Sequence, residues 1–266
     1  MELEVQGRKA YAYTGGKPFN PALPCVVFIH GALHDHSVWT LLARWYAHHG
    51  YCVLAVDLPG HARTGGPVLP DVEALAEWTL ALINASGVQG ASLVGHSMGS
   101  LIALEAAARG GERIDRLVMV ATAYPMKVSS ALLATAQERP LEAIDMVNAY
   151  SHSTWAAKPS YPGPGSWLHG VNRALMRRVQ AGQREVNLFA HDFSVCNSYA
   201  HGLEAARQVR CNTHLILGEQ DQMTAPRNAA EIAKALSAKI SLLPAGHALM
   251  QEAPEALLKA MREAMN

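Results

Sequence analysis

The chain has 266 residues, half of them hydrophobic and 17% charged, with 22 Lys and Arg balanced by 22 Asp and Glu. That length buries one large core but is short for two catalytic domains, and that composition excludes a disordered chain. The balanced charge excludes the basic stripe of a nucleic-acid binder, and the opening residues 1–14, where charged and apolar residues alternate, lack the apolar run of a signal peptide or membrane span. The expectation is a cytoplasmic protein with neither a membrane nor a nucleic-acid partner. Cys25, Cys52, Cys196 and Cys211 are far apart and lack C-x-x-C spacing, so reduced thiols are expected. Cys25 and Cys52 open apolar runs, where cysteine behaves as a small buried hydrophobe.

Short runs rich in Val, Ile and Leu alternate with longer stretches of helical period, a pattern that predicts a doubly wound, mostly parallel sheet covered on both faces. Leu3 to Val5 and Ala10 to Tyr13 form an opening hairpin. Cys25 to His30 is a continuous apolar run ending at Gly31, the mark of a central strand buried on both sides. Ser37 is expected to cap a helix carrying Val38, Leu41, Leu42, Trp45 and Tyr46 that stops at Gly50. Cys52 to Val56 is the next strand. Asp71 caps a helix through about Ser86, with Leu75, Trp78, Thr79 and Leu82 on one face. Ser92 to Gly95 and Leu117 to Ala121 follow as strands, separated by an alanine-rich helix from Met98 to Arg109. Thr213 to Leu217 and Ile240 to Leu243 complete the sheet, with helices near Pro226 to Leu236 and Pro254 to Met265, each opened by proline. Between Tyr124 and about Arg210 the alternation stops. Residues 124–210 are therefore expected to be a helical cap inserted into a core made of 1–123 and 211–266, with a loop from Lys158 to Gly165 broken by Pro159, Pro162 and Pro164.

Gly95-His96-Ser97-Met98-Gly99 stands between a predicted strand and a predicted helix. A serine at such a turn is lifted above the sheet on a strained backbone, where the following helix directs N–H groups at the same point. Ser97 is the candidate nucleophile, and the Met98 N–H is one candidate oxyanion donor. A serine hydroxyl is weak at neutral pH and needs a base, itself held in one tautomer. Of 13 histidines, His247 sits after the last strand, in chain order behind the serine. Asp221, in the turn after the Thr213 strand, is the preferred acid. Glu219 is second, and Asp192 and Asp145 fit less well. The second oxyanion donor is expected from His30-Gly31-Ala32, on the Ala32 N–H. His30 itself is expected chiefly to pack beneath the site or to bond the loop. His30, Leu33, Tyr124, Trp155 and Trp167 are candidate pocket walls. Tyr150, Trp155, Tyr161 and Trp167 cluster in the cap, consistent with an apolar or aromatic group or with glue between cap and core. His152, His169, His191 and His201 are read mainly as surface or structural residues.

Taken in order, His30-Gly31, Asp57-x-x-Gly60, Gly95-x-Ser97-x-Gly99, Gly218-x-x-Asp221 and Gly246-His247 resemble the signature series of the α/β-hydrolase superfamily, of the small cap-bearing esterase and carbon–carbon-hydrolase kind. The resemblance covers about Val26 to Tyr124 and Cys211 to Arg262 and leaves out the cap. It implies acyl transfer through a covalent ester on Ser97, a small ester substrate and water as partners, and no cofactor. A serine at 97 argues against the related dehalogenase and epoxide-hydrolase branches, which use aspartate. Ala62 stands where the family usually has glycine, so the loop there is expected to differ. His34-Asp35-His36 lacks a third convergent ligand, and no metal is expected. The alternatives are a carbon–carbon-bond hydrolase, with Arg173, Arg177 and Arg178 holding a carboxylate, and a non-catalytic binding protein. The oligomeric state, monomer or homodimer, is open.

Overall fold

The computed structural model describes residues 1–153 and 167–266. In chain order the elements are β1 (Glu2–Val5), β2 (Arg8–Tyr13), β3 (Cys25–Ile29), α1 (Thr40–Ala47), β4 (Cys52–Val56), α2 (Val72–Ser86), β5 (Ala91–His96), α3 (Met98–Gly110) and β6 (Ile114–Val120). Helices α4 (Ser130–Glu138), α5 (Pro140–Ser151), α6 (Leu168–Gly182), α7 (Leu188–Ser198) and α8 (Gly202–Gln208) follow. The chain then returns through β7 (Asn212–Gly218), α9 (Ala230–Ala235), β8 (Lys239–Leu243), α10 (Leu249–Glu252) and α11 (Pro254–Met265).

The strands form one sheet in the order β1-β2-β4-β3-β5-β6-β7-β8. β1, β2 and β4 pair antiparallel and every later pairing is parallel. β3 sits between β4 and β5, so the winding reverses there and opens a crevice beyond the carboxyl ends of β3 and β5. Period-two alternation divides each central strand between two cores. Val26 and Phe28 pack with Trp39, Tyr46, Leu257 and Met261 on the face of α1 and α11, whereas Val27 and Ile29 pack with Leu82, Ile83 and Leu101 on the face of α2 and α3. Each such fully buried side chain contributes about 1.5–3 kcal/mol. The expected strands and their order along the chain therefore match the sheet.

The first helix begins differently from expectation. Asp35, not Ser37, is the cap: its backbone is extended and its carboxylate accepts the Ser37 N–H at 2.9 Å. A 3-10 turn, His36–Trp39, then leads into α1. Asp71 does cap α2, accepting from the Ala74 N–H at 2.7 Å, and Gly87, at φ +80°, closes that helix. The region expected as a helix from Pro226 to Leu236 is a 3-10 turn at Pro226–Ala229 followed by the short α9.

Among the described residues, the stretch between β6 and β7 is helical. α4 packs on α5 and α7, and α5 on α6, while α8 lies against α3 and α9 in the layer that covers the sheet. The expected loop from Lys158 to Gly165, and with it Trp155 and Tyr161, lies outside the described residues. No helix among the described residues is long and apolar enough to cross a membrane.

Candidate active site

Ser97 occupies the turn between β5 and α3 with φ +53° and ψ −119°, a conformation that costs a non-glycine residue about 1–3 kcal/mol. Its surroundings hold it there. The Ser97 N–H donates to the Val120 carbonyl at 2.9 Å, and its own carbonyl accepts from the Ser100 N–H at 2.8 Å. The flanking glycines are required by contact: a Cβ on Gly95 would lie 2.0 Å from the Gly99 carbonyl oxygen, and one on Gly99 would lie 2.4 Å from that of Ile29. Only bare backbone lets strand and helix approach so closely.

Asp221 and His247 come together because the turns after β7 and β8 touch. A Cβ on Gly218 would sit 2.1 Å from the Gly246 carbonyl oxygen, so glycine alone fits. Asp221 Oδ1 accepts the N–H groups of Met223 and Thr224, each at 2.8 Å, and Oδ2 accepts the Thr224 hydroxyl at 2.7 Å. Oδ2 also faces His247 Nδ1 at 2.8 Å. Burial alone would push the Asp221 carboxyl up, but the His247 imidazole and the Thr224 donors outweigh it and hold the pKa down at about 2. A carboxylate can only accept, so the imidazole proton is placed on Nδ1 and Nε2 is left as the acceptor. Glu219, the second choice, is exposed at the surface.

The backbone around His247 is fixed from two sides. The N–H groups of His247 and Ala248 donate to the Ser151 carbonyl, at the end of α5, at 2.9 and 3.0 Å. The His247 carbonyl faces His96 Nε2 at 3.0 Å, and the two rings lie 4.8 Å apart. Glu252, on α10, accepts from the N–H groups of Gly246 and Ser153 at 3.2 and 3.1 Å, and from the Ser153 hydroxyl.

On the other side of Ser97 the loop after β3 is oriented by His30. Leu58 N–H donates to His30 Nε2 at 3.1 Å, so Nδ1 carries the proton and donates to the Gly31 carbonyl at 2.8 Å. The His34 N–H reaches the same carbonyl at 3.3 Å. A trans peptide points its N–H opposite to its C=O, so these two bonds turn the Ala32 N–H to the opposite side. Burial lowers the His30 pKa to about 4, and the neighbouring His61 adds to the shift, so the ring is neutral. The Met98 N–H opens α3, where first-turn amides lack an intrahelical partner.

Ser97, His247, Thr224, Ala32 and His34 line one cavity of about 330 Å³. Its remaining walls are largely apolar: Met126, Leu132, Val147, Met176 and Phe193, together with the Cys196 thiol and the exposed Lys127 and Tyr150. Of the expected walls, His30 and Leu33 are wholly buried and do not line this cavity, since His30 is committed to the Gly31 carbonyl and Leu33 packs into the core. Tyr124 packs against Gly202 and donates to the Ala200 carbonyl at 2.5 Å. Trp167 is 51% exposed, stacked on His169 away from the cavity lining. Trp155 lies outside the described residues. His152, His169, His191 and His201 are not among the lining residues either. Sequence reasoning missed Thr224 and the apolar walls such as Val147, Met176 and Phe193; a hydroxyl three positions after the acid is the one signal for Thr224.

The acidic pair near His34-Asp35-His36 is engaged in structure. One ligand atom each of Asp35, His36 and Asp57 lies within 4.8 Å of the others, so Asp57, distant in sequence, is a third convergent group where the sequence reading expected none. Asp57 Oδ1 accepts His36 N–H and faces His36 Nδ1, both at 2.8 Å, and Oδ2 accepts the Arg63 N–H at 3.1 Å. Asp35 holds Ser37 and Arg178.

A model of the alpha/beta hydrolase family matches residues 26–260. A putative esterase/lipase of Haemophilus influenzae is 29% identical over 97 residues, 36% of this chain and 33% of that protein. The chain thus spans about a third of the length of the first curated relatives it matches. Carboxylesterase YbfK of Bacillus subtilis is 24% identical over 244 residues, 87% of this chain and 77% of that protein. The crystal structure of the enol-lactonase from Burkholderia xenovorans LB400 shares the fold, with a TM-score of 0.82 at 22% identity over 100% of this chain and 99% of that one. The matched stretch runs from β3 into α11 and includes the serine turn, the Asp221 turn and the His247 turn, and the chain belongs to the alpha/beta hydrolase family.

Proposed function

We propose that the protein is a serine hydrolase that cleaves a carboxylic ester of small or medium, apolar or aromatic acyl group through an acyl-enzyme on Ser97. The observation that carries this reading is the 2.8 Å contact from Asp221 to His247 Nδ1, made while His247 and Ser97 open on the same apolar cavity. Ser97 Oγ attacks the ester carbonyl carbon as its proton passes to His247 Nε2. The carbonyl electron pair moves to oxygen, and the resulting oxyanion is held by the Ala32 and Met98 N–H groups. Collapse breaks the bond to the alcohol oxygen, which leaves with the proton from His247. Water then attacks the acyl carbon, gives its proton to His247, and a second collapse returns that proton to Ser97 and frees the acid. Helices α4 to α7 act as the cap that supplies the acyl-group walls.

The carbon–carbon-hydrolase reading loses its carboxylate anchors. Arg173 and Arg177 share Asp145, at 2.5 and 3.3 Å, and Arg178 holds Asp35 at 2.7 Å. None of the three lines the cavity.

A fluorophosphonate probe is expected to label Ser97, and Ser97→Ala is expected to abolish labelling and to lower kcat on a p-nitrophenyl acyl ester by at least about 10⁴-fold. Wild-type activity in the Ser97→Ala protein would sink the mechanism. A panel of esters, thioesters and ring-cleavage diketones, with that variant as blank, separates the reactions.

A further inference from the structure

The buried carboxylate of Asp192 has no part in the mechanism above, yet it lies beside the oxyanion loop. Asp192 stands on α7 and is 1% exposed. Its Oδ2 accepts the Leu33 N–H at 2.8 Å and faces His61 Nε2 at 2.9 Å, while Oδ1 faces His191 Nδ1 at 3.1 Å. Removing one carboxylate from water costs several kcal/mol unless charge and hydrogen bonds repay it, so the site needs a cation. Two imidazoles face the carboxylate, and His61 is the more buried, its side chain 2% exposed against 17% for His191. His61 Nδ1 faces the Pro59 carbonyl at 3.2 Å and its Nε2 faces the carboxylate. Both oxygens can only accept, so both ring nitrogens donate. Burial opposes the charge, but the nearby Asp192 outweighs it and raises the His61 pKa. The other charged or titratable groups facing this pair are His191, whose Nε2 faces the Leu69 carbonyl at 3.0 Å, the buried Cys196 thiol, His30, whose ring is 4.9 Å from that of His61, and Asp57.

Leu33 directly follows the Ala32 oxyanion donor and has φ +56°, a left-handed backbone that a leucine does not adopt unaided. The bond to Asp192 holds that peptide. The same helix presents Phe193 and Cys196 to the cavity, so one rigid element carries both a substrate wall and the anchor of the oxyanion loop.

We propose that Asp192, with His61 as its buried counter-ion, is a positioning residue that holds the Ala32 N–H in place and thereby ties the seating of α7 to competence of the oxyanion site. The inference rests on the acyl-enzyme reading of Ser97. Asp192→Asn keeps the side-chain shape and removes the charge. It is expected to lower kcat on a p-nitrophenyl ester about 10- to 100-fold, with KM changed less than about threefold. It is also expected to weaken a trifluoromethyl ketone, which forms a tetrahedral oxyanion on Ser97, by a similar factor. His61→Gln, which preserves one N–H toward Asp192, is expected to give a smaller loss of the same kind and serves if Asp192→Asn fails to fold. Folded variants with kcat and ketone affinity within twofold of wild type would overturn the inference, as would a rise in KM of about 10- to 100-fold with kcat and ketone affinity unchanged. Either result leaves fluorophosphonate labelling of Ser97 intact, whereas loss of labelling in the unmodified protein defeats the underlying reading instead.

Discussion

The two sides of the cavity are built from different materials. The sheet side presents Ser97, Asp221 and His247 on turns after buried strands, each held by two or more hydrogen bonds of about 2.8 to 3 Å. The side formed by α4 to α7 presents Leu132, Val147, Met176 and Phe193, which are held chiefly by packing, with one hydrogen bond from Asn172 to the Met176 sulfur at 3.6 Å. Directional bonds fix atoms to within a few tenths of an ångström, while apolar contacts accept a change of shape for about a kcal/mol. On the acyl-enzyme reading, the geometry of reaction belongs mainly to the sheet side and the choice of acyl group to the helical side, and the two are joined at Asp192 and at the Ser151 carbonyl.

The largest expected effect is on the sheet side. Asp221→Asn puts an amide N–H opposite His247 Nδ1 and favours the wrong tautomer, so kcat on a p-nitrophenyl ester is expected to fall about 10⁴-fold with KM nearly unchanged; steady-state kinetics checks it. The next effect is on stability in acid. His30 is buried and neutral with its pKa lowered to about 4, whereas the unfolded chain takes up that proton near 6.5. Stability is therefore lost as pH falls from about 6.5 towards 4, by about 3 kcal/mol from this residue alone. His61 works in the opposite sense, because its raised pKa stabilises the fold below the unfolded value and that gain is lost as pH rises through the folded one. Urea unfolding at pH 7 and pH 5 with His30→Gln as reference measures the difference, and a slope unchanged by the substitution would assign it elsewhere.

A smaller effect is expected on the packed side. Phe193→Ala should shift preference towards longer acyl chains by about tenfold in relative kcat/KM, leaving kcat on acetate esters within about threefold. A chain-length series reads this directly, and an equal loss on every ester would mean that the two sides are not separable at this helix. The smallest effect is at Ala62, which has φ +42° where the family pattern has glycine. Ala62→Gly is expected to raise stability by about 0.5–1 kcal/mol without changing turnover, as thermal unfolding would show.

The same division explains what could be read from the sequence. Cys25 to Ile29 and Cys52 to Val56 announce themselves as buried strands because both faces demand apolar residues. Ser97, Asp221 and His247 are legible because each sits at a strand end, in a turn whose glycines are forced by backbone contact. The cavity walls lack such a signal. Val147 and Met176 are ordinary residues of amphipathic helices, and which face meets the substrate depends on how α5 and α6 pack. Aromatic composition pointed instead to Trp167, which is half exposed beside His169. Asp192 was a poor triad candidate on sequence grounds. Its bond to Leu33 spans 159 residues of chain, and neither period nor spacing encodes such a contact.

The splice between α5 and the His247 turn bears on attempts to change specificity by exchanging whole lids. Because one carbonyl at position 151 receives two amides from the base's own loop, a foreign segment grafted between β6 and β7 inherits responsibility for aligning the imidazole as well as for greeting the acyl chain. Chimaeras that keep the native junction from Ser151 to Ser153 should retain turnover while altering selectivity, and those that cut through it should lose both together.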